Sequence, residues 1–264
     1  MAEKRQPKIG LALGGGASRG LAHIGVIKIL EENNIPIHCI AGTSIGAIIG
    51  GCYATGLSVQ KMEEITLAVN WRSLFVLIDP RLKQGLLGGK KIRAFIETYV
   101  GGKRFEDCKI PFAAIATDLK TGEAVILKEG EMTQSIRASI SLPLVFQPVA
   151  MGGRTLIDGG LSMPVPVRAV KDMGADFVIA ANLYEYQYAK KLAPNWYDIS
   201  NSSLSILHHH LALYDVSGAD VVININVGKD SWYRFDNGYD KIITGEEETR
   251  KILPQLREMI GLSG

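Results

Sequence analysis

The segment Gly42-Thr43-Ser44-Ile45-Gly46 constrains this chain most, because it places a serine where an apolar run meets a helical run. The apolar run 37–41 comes directly before it. This order predicts a strand, a sharp turn and a helix, with Ser44 exposed at the helix N-terminus. A Cβ at Gly42 or Gly46 would clash as the strand folds into the helix. We expect Ser44 to be a nucleophile, although a capping serine in a glycine turn has the same local pattern.

A glycine-rich loop, Gly14-Gly15-Gly16-Ala17-Ser18-Arg19-Gly20, follows the first apolar run and leads into a predicted helix. N–H groups at a helix N-terminus favour negative charge. A dinucleotide site needs an acidic residue about 20 positions later, where this chain instead has its serine turn at 40–44. We therefore expect the N–H groups of Gly15 and Gly16 to form an oxyanion hole. Arg19 is expected to anchor the loop or to attract a lipid phosphate.

The base that would activate the serine has more than one candidate. A histidine held by a carboxylate is the usual base, and the chain has five histidines, His23, His38, His208, His209 and His210. Their contexts are typical of core or helix-face histidines, but a triad using 208–210 stays open. In Leu156-Ile157-Asp158-Gly159-Gly160 an apolar strand ends at a carboxylate followed by two glycines. That pattern is usually a turn, yet its place at a strand end makes Asp158 the second candidate.

Short apolar runs alternate with helical patterns along the chain, which predicts an α/β fold with three layers, α/β/α, and a mainly parallel central sheet. The predicted core strands are residues 9–13, 37–41, 112–117, 177–182 and 221–227, and the predicted helices include 21–33, 45–55, 202–217 and 246–260. Residues 123–128 and 146–157, the latter folded back at Gly152 and Gly153, are predicted antiparallel strands at one side. No repeat or linker divides the sequence. We expect one domain over residues 1–264.

Composition excludes several classes of function. The net charge is +2 and no run of Lys or Arg forms a stripe, so we expect no nucleic-acid partner. Three cysteines without CxxC spacing indicate neither disulfides nor a zinc site, and a reducing cytosol fits them best. Residues 1–8 are polar and do not resemble a signal peptide. No stretch approaches the roughly 20 apolar residues of a membrane-spanning helix, so lipid contact is expected to be peripheral.

Four motifs in order, GGGASRG, GTSIG, RASISLP at 137–143 and DGG, resemble those of bacterial patatin-like phospholipases over most of the chain. The resemblance implies a fold related to patatin and cytosolic phospholipase A2. It also implies calcium-independent hydrolysis of lipid acyl esters by a Ser-Asp dyad without histidine, with no cofactor or metal. Carried onto this sequence, it implies Ser44 as nucleophile, Asp158 as base, and Gly15 and Gly16 as oxyanion donors with Arg19 nearby. The remaining motif glycines are Gly14, Gly20, Gly42, Gly46, Gly159 and Gly160.

Two positions depart from the family pattern. Ala17 stands where many members have another glycine, a change that leaves the backbone donors intact. Met163 stands where an asparagine is common after DGG, a change that would alter how the aspartate loop is held.

Two segments are candidates for lipid contact. The apolar residues in 70–78 precede Lys83, Lys90, Lys91 and Arg93, which suits a membrane interface; an ordinary core segment with a basic helix after it has the same pattern. Residues 184–197 hold five aromatic side chains in a predicted loop, for an acyl cleft, a lid or an oligomer contact. The sequence leaves the oligomeric state open. We expect a cytoplasmic protein, peripheral to the membrane.

A different class of function is also consistent with the glycine loop. A catalytically silent lipid- or nucleotide-binding protein would keep that loop without needing an activated serine. The presence of both Ser44 and Asp158 argues against this alternative.

Overall fold

The computed structural model describes residues 6–68, 90–143, 145–184, 196–227 and 237–262. Within them, one sheet contains the strands β1 Ile9–Leu13, β2 Cys39–Thr43, β3 Phe112–Asp118, β4 Ala124–Leu127, β5 Val149–Met151, β6 Arg154–Asp158, β7 Phe177–Asn182 and β8 Val221–Asn224. The helices are α1 Ala22–Glu32, α2 Ile45–Ala54, α3 Val59–Ala68, α4 Lys90–Val100, α5 Met132–Ser139, α6 Val167–Asp172, α7 Trp196–Val216 and α8 Gly238–Met259. Short 3₁₀ helices cover Ala17–Leu21, Phe105–Asp107 and Gly159–Leu161.

The strand order is β5-β6-β3-β2-β1-β7-β8, and β4 also pairs with β3. Strands β3, β2, β1, β7 and β8 run parallel, as expected for buried apolar runs separated by helices. The antiparallel strands β4, β5 and β6 lie at one side. The turn between β5 and β6 has positive φ at Gly152 and Gly153, so the expected fold-back is confirmed.

Helices cover both faces of the sheet. Leu11, Leu13 and Ile40 point into a large apolar cluster shared with α1, α2, α5 and α8. The alternate strand residues Ala12 and Ala41 point into a second cluster, shared with α6 and α7. Because strand side chains alternate between faces, two buried faces require continuous apolar strands. The expected α/β/α layering is thereby confirmed.

Several boundaries differ from the sequence-based expectation. Strand β2 lies two residues later than 37–41, because its pairing with β1 begins at Cys39 and continues through Gly42. The last strand ends at Asn224 rather than 227. Helix α7 begins at Trp196 rather than 202, and α8 begins at Gly238 rather than 246. Across the described ranges, no helix is both long enough and apolar enough to span a bilayer.

Candidate active site

The serine turn has the geometry that its sequence predicts. Ser44 lies between β2 and α2 with φ 55° and ψ −120°, a conformation that L-residues rarely adopt. A Cβ on Gly42 would overlap the Gly46 carbonyl, and a Cβ on Gly46 would overlap the Leu13 carbonyl. The two glycines therefore allow the strand, the turn and the helix to come this close together.

Ser44 and Asp158 meet directly. The Ser44 hydroxyl donates a hydrogen bond of 2.7 Å to Asp158 Oδ2, and the Gly160 N–H donates one of 2.8 Å to Oδ1. Burial raises the pKa of Asp158 to about 6, and the hydrogen bonds from Gly160 and Ser44 oppose that rise. Ser44 is partly exposed, whereas Asp158 is buried. The Asp158 carboxyl group thus ionises near pH 6 and lies beside the partly exposed Ser44 hydroxyl.

Strand β3 aligns the two side chains. Its residue Ile115 pairs with Thr43 of β2 and with Ile126 of β4. The next residue, Ala116, pairs with Asp158 of β6 and again with β4. Since β4 occupies one edge of β3 at both residues, β2 and β6 share the opposite edge. The serine turn and the aspartate therefore follow each other along one edge of a single strand.

The segment 137–143 bridges Ser44 and Asp158. Ser139 Oγ accepts the N–H of Ser44 at 2.9 Å, and the Ser141 carbonyl accepts the N–H of Asp158 at 3.0 Å. Arg137 braces this segment through a hydrogen bond of 2.7 Å to Ser141 Oγ. The sequence showed this motif only as part of a resemblance. Its contacts with both site loops give Ser139 and Ser141 positioning roles that the sequence analysis missed.

The glycine loop lies beside the serine turn, but its donors differ from the expected pair. Gly15 N–H donates to the Pro164 carbonyl at 2.9 Å, so the expectation that this N–H faces the substrate is corrected. Gly16 and Ala17 open the 3₁₀ helix 17–21, where the first N–H groups have no partner within a helix. His23 Nε2 lies 2.7 Å from the Gly14 carbonyl, and this hydrogen bond holds the start of the loop. Burial lowers the pKa of His23 to about 4, so its ring is neutral and donates this bond.

Arg19 anchors the loop, in agreement with one of its two expected roles. Its Nε donates to the Gly16 carbonyl at 3.3 Å, and its guanidinium carbon lies 5.9 Å from the centre of the Tyr184 ring. Burial lowers the pKa of Arg19. The described contacts of Arg19 therefore hold the glycine loop.

Both departures from the family pattern are accommodated. Ala17 adopts a left-handed φ of 51°, where glycine is favoured, and its N–H stays at the start of the 3₁₀ helix. Met163 buries its side chain in the second apolar cluster, and its carbonyl accepts the Thr43 hydroxyl at 2.8 Å. Thr117 adds a hydrogen bond of 2.8 Å to the Asp158 carbonyl. The aspartate loop is therefore held through backbone groups.

The histidines of α7 lie close to the site without bonding to the serine. His209 Nδ1 forms a hydrogen bond of 2.7 Å with the Tyr184 carbonyl, and the His208 ring lies 5.4 Å from the Tyr184 ring. The described hydrogen bond of Ser44 Oγ is to Asp158 and not to any of 208–210. The sequence analysis considered His208 only for a possible triad and Tyr184 only within the aromatic segment 184–197. The fold brings both to the glycine and aspartate loops.

The two candidate lipid-contact segments fall largely outside the described residues. Residues 70–78 and Lys83 lie outside them, and Arg93 lies on α4. Residues 185–195 also lie outside them, but Trp196 and Tyr197 belong to α7. The predicted loop 184–197 is therefore wrong at its C-terminal end, because α7 takes in its last two aromatic residues.

Known proteins are similar to this chain both in sequence and in fold. The family model described as patatin-like phospholipase matches residues 11–171. An uncharacterized NTE family protein of Mycobacterium tuberculosis is 37% identical over 81% of this chain and 59% of its own length. Lysophospholipase NTE1 of Scheffersomyces stipitis is 34% identical over 66% of this chain and 12% of its own length. The chain thus spans well under two thirds of these relatives.

Two solved structures share the fold. The ExoU–SpcU complex of the Pseudomonas aeruginosa type III secretion system superposes with a TM-score of 0.55 at 17% identity, covering 97% of this chain and 52% of that one. VipD from Legionella pneumophila gives a TM-score of 0.53 at 12% identity, covering 95% and 67%. At these identities the likeness extends to the architecture of the sheet and its helices.

Proposed function

Since this chain belongs to the patatin-like phospholipase family, we propose that it hydrolyses acyl esters of phospholipids or lysophospholipids with Ser44 as nucleophile and Asp158 as base. The observation that carries the proposal is the 2.7 Å hydrogen bond between Ser44 Oγ and Asp158 Oδ2. A hydroxyl and a carboxylate at this distance meet the geometric requirement for an activated nucleophile. The relative named a lysophospholipase supports the substrate class.

The proposed acylation step passes through a tetrahedral intermediate. Ser44 Oγ attacks the ester carbonyl carbon while Asp158 takes the hydroxyl proton. The N–H groups of Gly16 and Ala17, with their helix N-terminus, stabilise the oxyanion that develops. When the tetrahedral intermediate collapses, Asp158 gives its proton to the leaving alcohol and an acyl-enzyme remains. A carboxylate is a weaker base than imidazole, so the fixed geometry around Ser44 and the raised pKa of Asp158 compensate.

The experiment that tests the proposal is the Ser44→Ala variant assayed with a p-nitrophenyl acyl ester. We expect turnover to fall to background while the melting temperature stays within a few degrees of the wild type. A fluorophosphonate probe should label the wild type at Ser44, because labelling requires an activated hydroxyl. The matched control is Ser203→Ala, on the exposed face of α7, which should keep full turnover. Retained turnover in Ser44→Ala, or an unlabelled wild type, would favour a silent binding protein.

We also propose that the protein meets its substrate as a cytoplasmic protein at a membrane surface. Five of the large apolar side chains that the described residues expose lie on α7, namely Ile199, Ile206, Leu207, Leu213 and Tyr214. The same helix carries His208 beside the site on its opposite side, so a helix that contacts the site also presents an exposed apolar face. The three cysteines are free thiols, which supports a reducing compartment.

The membrane proposal predicts co-sedimentation with phosphatidylcholine vesicles. Replacing Leu207 and Tyr214 together by serine should reduce the bound fraction several-fold. Leu119→Ser is the matched control, because this leucine is similarly exposed but follows β3. Equal loss of binding in both variants, or no loss in either, would contradict a role for α7.

A further inference from the structure

Tyr184 and His208 bring polar atoms close to Gly160 and Asp158. A Cβ placed on Gly160 would lie 3.0 Å from Asp158 Oδ1, 3.1 Å from Tyr184 Oη and 3.5 Å from His208 Nε2. A Cβ placed on Gly15 would overlap Tyr184 Oη and lie 3.5 Å from Ser44 Cβ. The Tyr184 hydroxyl therefore lies between the glycine loop and the aspartate loop, next to the nucleophile.

Within the described residues, neither of these polar atoms has a hydrogen-bond partner. His208 Nε2 is buried without a hydrogen bond, and no described residue bonds to Tyr184 Oη. The Tyr184 backbone is nevertheless fixed, since its N–H donates to Asn182 Oδ1 at 3.0 Å and its carbonyl bonds to His209 Nδ1. Buried polar atoms in folded proteins are normally paired with protein groups or with ordered water. A buried, unpaired His208 Nε2 and the adjacent Tyr184 hydroxyl, which converge on a carboxylate oxygen, indicate a site for one small oxygen-bearing molecule.

The charge states of the two side chains suit such a site. Burial lowers the pKa of His208, and the nearby charge of Arg19 lowers it further. Burial raises the pKa of Tyr184, and the charge of Asp158 adds to the rise. Both groups are therefore neutral. Each can donate or accept a hydrogen bond without forming an ion pair with the Asp158 carboxylate. Asp158 consequently remains available as the base.

We propose that Tyr184 Oη and His208 Nε2 hold the water that hydrolyses the acyl-enzyme, an inference that rests on the proposed function. In this step Asp158 removes one proton from the water, and the water oxygen forms a bond to the acyl carbonyl carbon. The bond between that carbon and Ser44 Oγ then breaks. Ser44 Oγ takes the proton from Asp158, and the fatty acid leaves. The two side chains act on deacylation and leave the attack by Ser44 unchanged.

The test separates acylation from deacylation in pre-steady-state kinetics with a p-nitrophenyl ester. In Tyr184→Phe and His208→Leu we expect a burst of p-nitrophenol at a rate within about twofold of wild-type acylation. The steady-state rate that follows should fall about tenfold, because deacylation becomes limiting. His208→Gln, which keeps a polar group near the Nε2 position, should recover part of the loss. His210→Leu, an exposed neighbour on the same helix, is the matched control and should behave as wild type.

The outcomes distinguish this inference from the proposed function. Wild-type protein that neither labels at Ser44 nor turns over would end the proposed function and, with it, this inference. Normal wild-type activity with unchanged steady-state rates in Tyr184→Phe and His208→Leu would overturn the water site alone. A parallel loss of burst rate, steady-state rate and Ser44 labelling would assign these residues a structural role and also overturn it. Tyr184→Phe removes a single oxygen, so it decides the matter if His208→Leu fails to fold.

Discussion

Ser139 Oγ accepts a hydrogen bond of 2.9 Å from the backbone N–H of Ser44. The bond joins the last residue of α5 to the first residue before α2, so the strained serine turn is held from outside its own motif. It also gives the buried N–H of the turn a partner that the helix cannot supply. The backbone conformation of Ser44 therefore depends on a segment far from it in sequence.

The Ser139→Ala variant tests this dependence. Without the hydroxyl, the Ser44 N–H loses its partner and the turn relaxes, at a cost of about 1–2 kcal/mol. We expect kcat to fall about 10-fold or more with KM little changed, since about 1.4 kcal/mol in a barrier is a factor of ten. Steady-state kinetics on a p-nitrophenyl ester measure both constants. Ser203→Ala serves again as the exposed control, and an unchanged kcat in Ser139→Ala would show that the bond does not matter.

The pH dependence of hydrolysis should report the carboxylate. Burial raises the pKa of Asp158 to about 6, and only the ionised form accepts the Ser44 proton. We expect kcat/KM to be level above pH 7 and half-maximal near pH 6. At pH 5 it should be roughly a tenth of the plateau value. Asp215 also has a pKa raised to about 6 by burial, and its Oδ2 accepts the Val165 N–H. Asp215→Asn should leave the inflection near pH 6 in place. If the inflection disappeared in that variant, the pH profile would report Asp215 and not Asp158.

Asp158→Asn should abolish turnover and stabilise the fold at alkaline pH. The folded-state pKa of about 6 lies above the ordinary 3.8, so the folded protein binds this proton more tightly than the unfolded chain does. The buried charge therefore lowers the free energy of unfolding above pH 6, and that cost disappears as the pH falls towards 3.8. We expect the variant to gain about 1–3 kcal/mol at pH 8 and little at pH 4. Urea unfolding at the two pH values measures the difference, and an equal gain at both would contradict it.

Gly46→Ala should inactivate and destabilise the protein. Its new methyl group would overlap the Leu13 carbonyl and crowd that of Gly14, so the glycine loop and the serine turn would have to separate. We expect a loss of about 2–4 kcal/mol in the free energy of unfolding and of most turnover. Gly218→Ala is the matched control, because its nearest neighbour would be 3.4 Å away. Thermal denaturation and ester assays together check the pair, and similar behaviour of the two variants would refute the steric argument.

Sequence patterns predicted the layered fold and singled out Ser44 and Asp158, which the structure brings together, and the reasons are local. Residues 9–13 and 177–182 are apolar runs with polar or glycine ends, so their observed bounds agree with the predicted ones. The serine turn is coded within five residues. The Gly15 donor was predicted wrongly, because its bond to Pro164 joins segments about 150 positions apart. The approach of Tyr184 and His208 to Gly160 also could not be predicted, because it depends on how α7 packs on the sheet and on no pattern in their neighbours.

The shared edge of β3 has a consequence for how this architecture can diverge. The spacing between hydroxyl and carboxylate is set by two adjacent rungs of one ladder, Ile115 with Thr43 and Ala116 with Asp158. The number of residues in the connections between the paired strands does not affect that spacing. Segments inserted between α3 and β3 can therefore lengthen or shorten while Ser44 and Asp158 stay in register.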